Sequence, residues 1–239
     1  MVVEQYKKQT IYFGDLSDKK SVQALKQLKG KNVLVVCTER NWAAHRGCLR
    51  KCRKNKILFS DFSAEPVYED IKKAVAIFRD NQCESIISMG NRSAIDFAKC
   101  IKAFAGDGET CLKDVEHLAI PRASGIGSES THFAAMYQNG QKRSVSDPSL
   151  LPEYAFLDVE CVKNVLNYER NSVMLNAFCQ AAESFWSVNS TDESKKYASS
   201  AIAYILKYGK KYMNNLLFTN DDYDEMTDVS IVWAASLAQ

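Results

Sequence analysis

Short continuous apolar runs alternate with amphipathic stretches over the first two thirds of the chain. Asn32–Cys37 (NVLVVC), Ile57–Phe62 (ILFSDF) and Ser85–Met89 (SIISM) have the apolar character of strands covered on both faces. Between the last two, 67–79 places Val67, Ile71, Ala74, Val75 and Phe78 on one helical face. Strand, helix, strand, helix predicts a parallel sheet with right-handed crossovers. Leu118–Pro121 reads as a further strand. The pattern then changes. Phe133–Tyr137 and Lys142–Ser146 flank Gln138-Asn139-Gly140-Gln141, and Asn-Gly accepts the positive φ of a tight turn, so a β-hairpin is expected. Pro148 and Pro152 close that segment.

From about residue 160 onward the signals are helical. Ser190-Thr191-Asp192-Glu193 fits a capping box ahead of an apolar-periodic stretch from Tyr197 to Met213. Another helix is expected to start near 221–227. The apolar ending Val232–Gln239 has no Gly, Pro or basic stop signal and reads as a helix cut short, whose apolar side chains a partner or second copy would cover. These patterns divide the chain into an α/β domain over 1–160 and an incomplete helical domain over 161–239.

Composition narrows the classes without naming a function. The 239 residues are 46% hydrophobic and 25% charged, as in ordinary soluble globular proteins. A formal net charge of +2 gives no electrostatic reason to expect nucleic acid or an anionic membrane. The basic run from Arg46 to Lys56 is the one local excess, and it reads as a solvated helix face. Neither a leader nor an apolar run of about 20 residues is visible. The cysteines are scattered; Cys48 and Cys52 have helical spacing, but no second Cys/His pair completes a zinc set. A reduced, cytoplasmic protein is the expectation, with neither nucleic acid nor membrane as partner.

Two loops carry the candidate chemistry. In Ser88-Met-Gly-Asn-Arg-Ser-Ala-Ile-Asp96-Phe-Ala-Lys99, a strand feeds Gly90, and Asn91 or Ser93 opens a helix over Ala94–Phe104. Such a turn holds phosphate through backbone N–H groups and the helix N-terminus. One glycine is equally compatible with a purely structural turn. Ile120-Pro-Arg-Ala-Ser-Gly-Ile-Gly-Ser-Glu-Ser-Thr131 is a second small-residue loop after a strand, with hydroxyls able to contact a cofactor.

Together these loops resemble the iron-containing (group III) alcohol dehydrogenases, with their Gly-Gly-Gly-Ser-x-x-Asp-x-Ala-Lys turn and Ile-Pro-Thr-Thr-Ala-Gly-x-Gly-Ser-Glu loop. Asp147–Asp158 resembles the family segment that links the nucleotide domain to the helical domain. Ser130–Ala134, Leu150–Tyr154 and Gln180–Thr191 look most like the phosphonoacetaldehyde reductase branch, which makes 2-hydroxyethylphosphonate. The resemblance implies a dehydroquinate-synthase-like α/β nucleotide-binding domain, with a parallel sheet and a β-hairpin, followed by a partial all-α domain. It also implies NADH or NADPH, Fe2+ or Zn2+, a small aldehyde or alcohol substrate such as a phosphonate, and a homodimer.

Carried onto this chain, the cofactor positions are Gly90, Asn91, Arg92, Ser93 and Asp96 in the turn, and Arg122, Ala123 and Ile126 in the second loop. Lys142 on the hairpin and Thr38 after the first strand complete the set. Asn91 and Arg92 replace two glycines, bringing side chains where a ligand needs close backbone approach; Arg92 is alternatively a bidentate partner for phosphate. Arg122 and Ala123 replace two threonines. Thr38 stands where an Asp would bind the adenosine ribose, so a 2′-phosphate is not repelled; with Arg40 nearby, NADPH is as suitable as NADH. Asn176 and Gln180 share one helix face at i and i+4, where an Asp and a His would offer two metal ligands. A neutral amide oxygen at Asn176 is the poorer ligand for a hard cation, and the family's remaining histidine ligands have no counterpart after His132. His45 and His117 read as structural or solvated, and His132 as a branch feature beside the cofactor loop. Two readings stay open: an NAD(P)H-dependent reductase of a phosphonate aldehyde, and a catalytically inactive nucleotide- or partner-binding relative. A sugar-phosphate cyclase or glycerol-phosphate dehydrogenase of the same fold fits Trp186–Asn189 less well.

Overall fold

The computed structural model describes residues 2–6, 8–17, 22–50, 54–106, 114–122, 127–158 and 166–214. Among these described residues nine strands and six α-helices follow in order: β1 Val2–Tyr6, β2 Gln9–Gly14, α1 Val22–Gln27, β3 Asn32–Cys37, α2 Glu39–Arg50, β4 Asn55–Phe59, α3 Tyr68–Asp80 and β5 Ser85–Gly90. Then come α4 Arg92–Phe104, β6 Glu116–Pro121, β7 Phe133–Gln138, β8 Gln141–Ser146, β9 Tyr154–Asp158, α5 Asn167–Trp186 and α6 Asp192–Met213.

Seven strands form one sheet in the order β1-β2-β9-β6-β5-β3-β4, parallel throughout except for the β1–β2 pair. This is the expected α/β architecture. The apolar runs of β3, β5 and β6 are buried because helices cover both faces of the sheet. On one face Leu34, Val36 and Ile86 pack with Ile71, Ala74, Val75 and Phe78 of α3 and with Phe97 and Ile101 of α4. On the other, Val33, Val35, Ile87 and Leu118 pack with Ala24 and Leu25 of α1 and Leu49 of α2. Phe97 stacks on Phe59 at 5.5 Å between ring centroids, which anchors α4 over the sheet.

The hairpin forms as the Asn-Gly signal predicts, with β7 and β8 antiparallel and Asn139 and Gly140 at φ 52° and 74°. Ala134 and Met136 of β7 are buried with α4, fixing the hairpin above it.

Three expectations shift. The strand expected at 57–62 is Asn55–Phe59, with Phe62 packed beside it rather than within it. The capping box lies one residue later than expected: Thr191 Oγ1 accepts from the Ser194 N–H, Ser194 Oγ accepts from the Thr191 N–H, and the helix begins at Asp192. The segment after Asp147 is more than a link, because its last five residues form β9 between β2 and β6. The 221–227 helix, the 232–239 ending and the proposed boundary at 160 lie outside the described residues.

α5 and α6 pack on each other and on the β2–β9 part of the sheet. Met174 and Ala177 of α5 and Ile205 and Tyr212 of α6 bury against Ile11, Phe13, Ala155 and Leu157. Among the described residues no helix is long and apolar enough to cross a membrane, and Cys37, Cys48, Cys83, Cys100 and Cys179 are free thiols.

Candidate functional site

β5 is buried along its whole length and ends at Gly90. A Cβ built there would lie 2.9 Å from Cβ of Ala94, a closer approach than real side chains make, so the tight entry into α4 requires glycine. Asn91 is the extended N-cap, and its side chain makes no capping bond. The first-turn N–H groups of α4 therefore keep their positive potential at the end of the strand. The Gly90 carbonyl accepts from the Arg122 N–H at 2.9 Å, joining the two candidate loops. Thr38 caps α2, its Oγ1 accepting from the Asn41 N–H at 3.3 Å, while the Asn41 amide donates to the Met89 carbonyl at 3.4 Å. The ends of β3, β5 and β6 are thus tied together, at the carboxyl edge where open parallel sheets bind ligands.

At this edge lies a cavity of about 540 Å³. Thr38, Gly90, Asn91, Arg92, Arg122 and Asn176 all border it, so six of the sequence-derived positions converge. Arg40 borders it too, so among the described residues three arginines line the wall with one carboxylate, Glu169. The Arg122 guanidinium is hydrogen-bonded to Nε2 of His45. Burial and the Arg122 charge lower the His45 pKa, which favours neutral imidazole as the acceptor.

The other predicted positions sit differently. Ser93 donates to the Ala64 carbonyl, and Lys142 is exposed on β8; neither borders this cavity. Ala123 and Ile126 lie outside the described residues. Asp96 is buried behind the second loop, accepting from Ser128 Oγ and from the Ala135 N–H at 3.2 Å. His132 is exposed, with its ring edge-on to Phe133.

Lys99 carries a role that sequence reasoning missed. It is fully buried and donates to Thr131 Oγ1 and the Phe133 carbonyl, both at 3.0 Å, and to the Ser128 carbonyl. Burial pushes its ammonium down to about 8, with Asp96 and Glu129 opposing the shift. The spacing Asp96-x-x-Lys99, one helical turn, was the available signal: both side chains point under the same loop.

A second cavity, about 560 Å³, is bordered by Arg92, Phe133, Gln180, Glu183 and Asn189 and by the serines 184, 187, 190 and 194. Asn176 and Gln180, one turn apart on α5, thus border different cavities. Both are neutral amides, and among the described residues no three His, Cys, Asp or Glu side chains gather in a way that could hold a metal ion. The described residues alone do not fit an iron or zinc centre. They do fit a nicotinamide dinucleotide: Gly90 borders the cavity, and the α4 N-terminus with Arg92 and Arg122 supplies donors for phosphate.

Comparison with known proteins bears on the family and the fold. A family model described as iron-containing alcohol dehydrogenase matches residues 8–159, more than half of the chain. The probable alcohol dehydrogenase EutG of Escherichia coli K12 is 28% identical over 155 residues, covering 60% of this chain and 39% of the relative. The phosphonoacetaldehyde reductase of Streptomyces viridochromogenes is 28% identical over 135 residues, covering 48% of this chain and 34% of that protein. The chain therefore spans less than half the length of these two relatives. The crystal structure of sulfoacetaldehyde reductase from Bifidobacterium kashiwanohense, in complex with NAD+, shares the fold at a TM-score of 0.80 and 21% identity, covering 100% of this chain and 66% of that one.

Proposed function

Because the chain belongs to the iron-containing alcohol dehydrogenase family, we propose that it binds NADH or NADPH at the α4 N-terminus and serves the reduction of a small aldehyde. The observation that carries this reading is the meeting of Gly90, Arg92 and Arg122 with the first turn of α4 in one cavity. A pyrophosphate needs positive potential and close backbone approach, and these groups offer both. Thr38 and Arg40 border the same cavity and suit the adenosine ribose; with no carboxylate at Thr38, a 2′-phosphate is accommodated. When bound, the dinucleotide supplies a hydride from C4 of its nicotinamide. The chain's own contribution is to hold the phosphates, to close the cavity with Val173 and Asn176 of α5, and to seat the aldehyde beside it in the serine-lined cavity.

For the substrate, a phosphonate aldehyde reduced to 2-hydroxyethylphosphonate is the narrower proposal. Its support is the resemblance over 130–134, 150–154 and 180–191, together with a guanidinium and four hydroxyl residues around the second cavity. A catalytically inactive nucleotide- or partner-binding relative is the second reading, favoured by the amides at Asn176 and Gln180. Pairing of two copies is favoured by the exposed Leu175, Trp186 and Val188 and is read by light scattering.

Calorimetry of NADH and NADPH on the 239-residue chain, with and without Fe2+ or Zn2+, tests the reading. The expected result is micromolar binding that neither metal changes. No detectable binding of either nucleotide would leave the partner-binding reading.

A further inference from the structure

Among the described residues, the three arginines that line the cavity at the carboxyl edge of the sheet differ in burial. Arg40 and Arg92 are exposed, whereas Arg122 is half-buried. Its charge is therefore the least screened by solvent of the three. The Arg122 main chain is fixed by its N–H bond to the Gly90 carbonyl. Its side chain is fixed by α2: Nη1 donates to Nε2 of His45, a half-buried residue that does not itself border the cavity. A guanidinium carries donors only, so Nε2 of His45 must be the acceptor and the ring proton sits on Nδ1. One turn back along the same helix face, Asn41 borders the cavity and donates to the Met89 carbonyl. α2 thus reaches the ends of two neighbouring strands, β5 through Asn41 and β6 through His45 and Arg122.

Resting on the dinucleotide reading above, we infer that His45 is a positioning residue: its imidazole orders the Arg122 guanidinium at the cavity wall for the anionic cofactor. An arginine that samples many rotamers loses that freedom when it engages an anion, which opposes binding. Anchored from behind by His45, Arg122 has little of that freedom left to lose. The guanidinium acts on the phosphates through its charge at a fixed place, so no unused N–H is required of it. A carboxylate behind Arg122 would hold the side chain as well, but would oppose its charge. A neutral imidazole restrains the arginine without neutralising it.

The test is a double-mutant cycle on the full chain, with Kd for NADH and NADPH read by calorimetry at neutral pH. His45→Leu is expected to weaken both nucleotides by about three- to tenfold, the usual cost of ordering one long side chain. His45→Gln, whose amide oxygen can replace Nε2 as acceptor, should stay within about twofold of the wild type. In an Arg122→Gln background, His45→Leu should change affinity by less than about twofold, the margin within which independent effects add. A side chain that merely supports the fold would weaken binding by the same factor with and without Arg122, and that additivity would overturn the role of His45. So would a His45→Gln variant as weak as His45→Leu, or wild-type affinity in His45→Leu. The histidine side-chain nitrogen NMR spectrum is a readout apart from affinity. It should show His45 neutral with its proton on Nδ1, and the Nε2 resonance should move in Arg122→Gln. A neutral ring protonated on Nε2 would overturn the contact itself. A wild type that binds neither nucleotide sinks the dinucleotide reading and this role with it. One that binds nucleotide and gives an additive cycle sinks the role of His45 alone.

Discussion

The Lys99 ammonium donates to the backbone carbonyl of Phe133 at 3.0 Å, reaching from the middle of α4 to the first residue of β7. With its bonds to Ser128 and Thr131, it holds the second loop from beneath. Replacing Lys99 by Met removes these donors and leaves buried carbonyls and the Asp96 carboxylate without their cation. The cost expected is about 3 kcal/mol, or a fall in Tm of roughly 6–12 °C, read by thermal melts. A melt unchanged within error would mean that the loop does not depend on Lys99.

His117 predicts acid lability. It is fully buried, its Nε2 lies 2.7 Å from Ser88 Oγ, and burial together with the Lys102 and Lys99 charges holds its pKa well below 6.5. An unfolded imidazole binds a proton as pH falls below 6.5, while the folded one does not. Stability is therefore complete above that value and declines below it, by at most about 1.4 kcal/mol per pH unit. Urea unfolding at pH 7.5 and 5.5 should show a steeper loss in the wild type than in His117→Gln. Parallel losses would remove His117 as the cause.

Nucleotide choice should turn on Thr38. A carboxylate at that position, beside Arg40 on the same cavity, repels a 2′-phosphate and accepts from the ribose hydroxyls. Thr38→Asp is expected to weaken NADPH by about tenfold, or about 1.4 kcal/mol, with NADH held or tightened. Equal changes for both nucleotides in a fluorescence titration would place the adenosine end elsewhere.

Gly90→Ala tests the tight entry into α4. The added methyl meets Cβ of Ala94 at 2.9 Å, so α4 must shift against the strand. A loss of about 1–3 kcal/mol in stability is expected, with nucleotide affinity falling beyond what the lowered Tm explains at the assay temperature. A variant that folds and binds like the wild type would show that the turn has slack.

The parts of the fold that announce themselves do so through local chemistry. Continuous apolar runs mark β3 and β5, and the buried stripe Ile71, Ala74, Val75, Phe78 marks α3. Asn139-Gly140 marks the hairpin. β9 was hidden because Tyr154–Asp158 is five residues long and directly follows a run with two prolines, so it reads as a connection. Its burial comes from β2, more than a hundred residues earlier in the chain. At the site, the residues at strand ends, Thr38, Gly90 and Arg122, were legible because a strand followed by a turn fixes where they point. The role of Lys99 was not, since a lysine midway along a helix ordinarily faces water and only the folded second loop supplies its acceptors.

The position of β9 also sets an order of events. β2 reaches the rest of the sheet through Thr10–Gly14 paired with Tyr154–Asp158, and β6 is its other neighbour. The amino-terminal hairpin therefore has no place in the sheet until the chain has been made as far as residue 158. A nascent chain emerging from the ribosome carries β1 and β2 as an unclaimed edge while β3, β4, β5 and β6 can already pair. The last strand of the sheet to be synthesised is the one that lets the first two in, and until it arrives the hairpin is the segment most exposed to chaperones and to other chains.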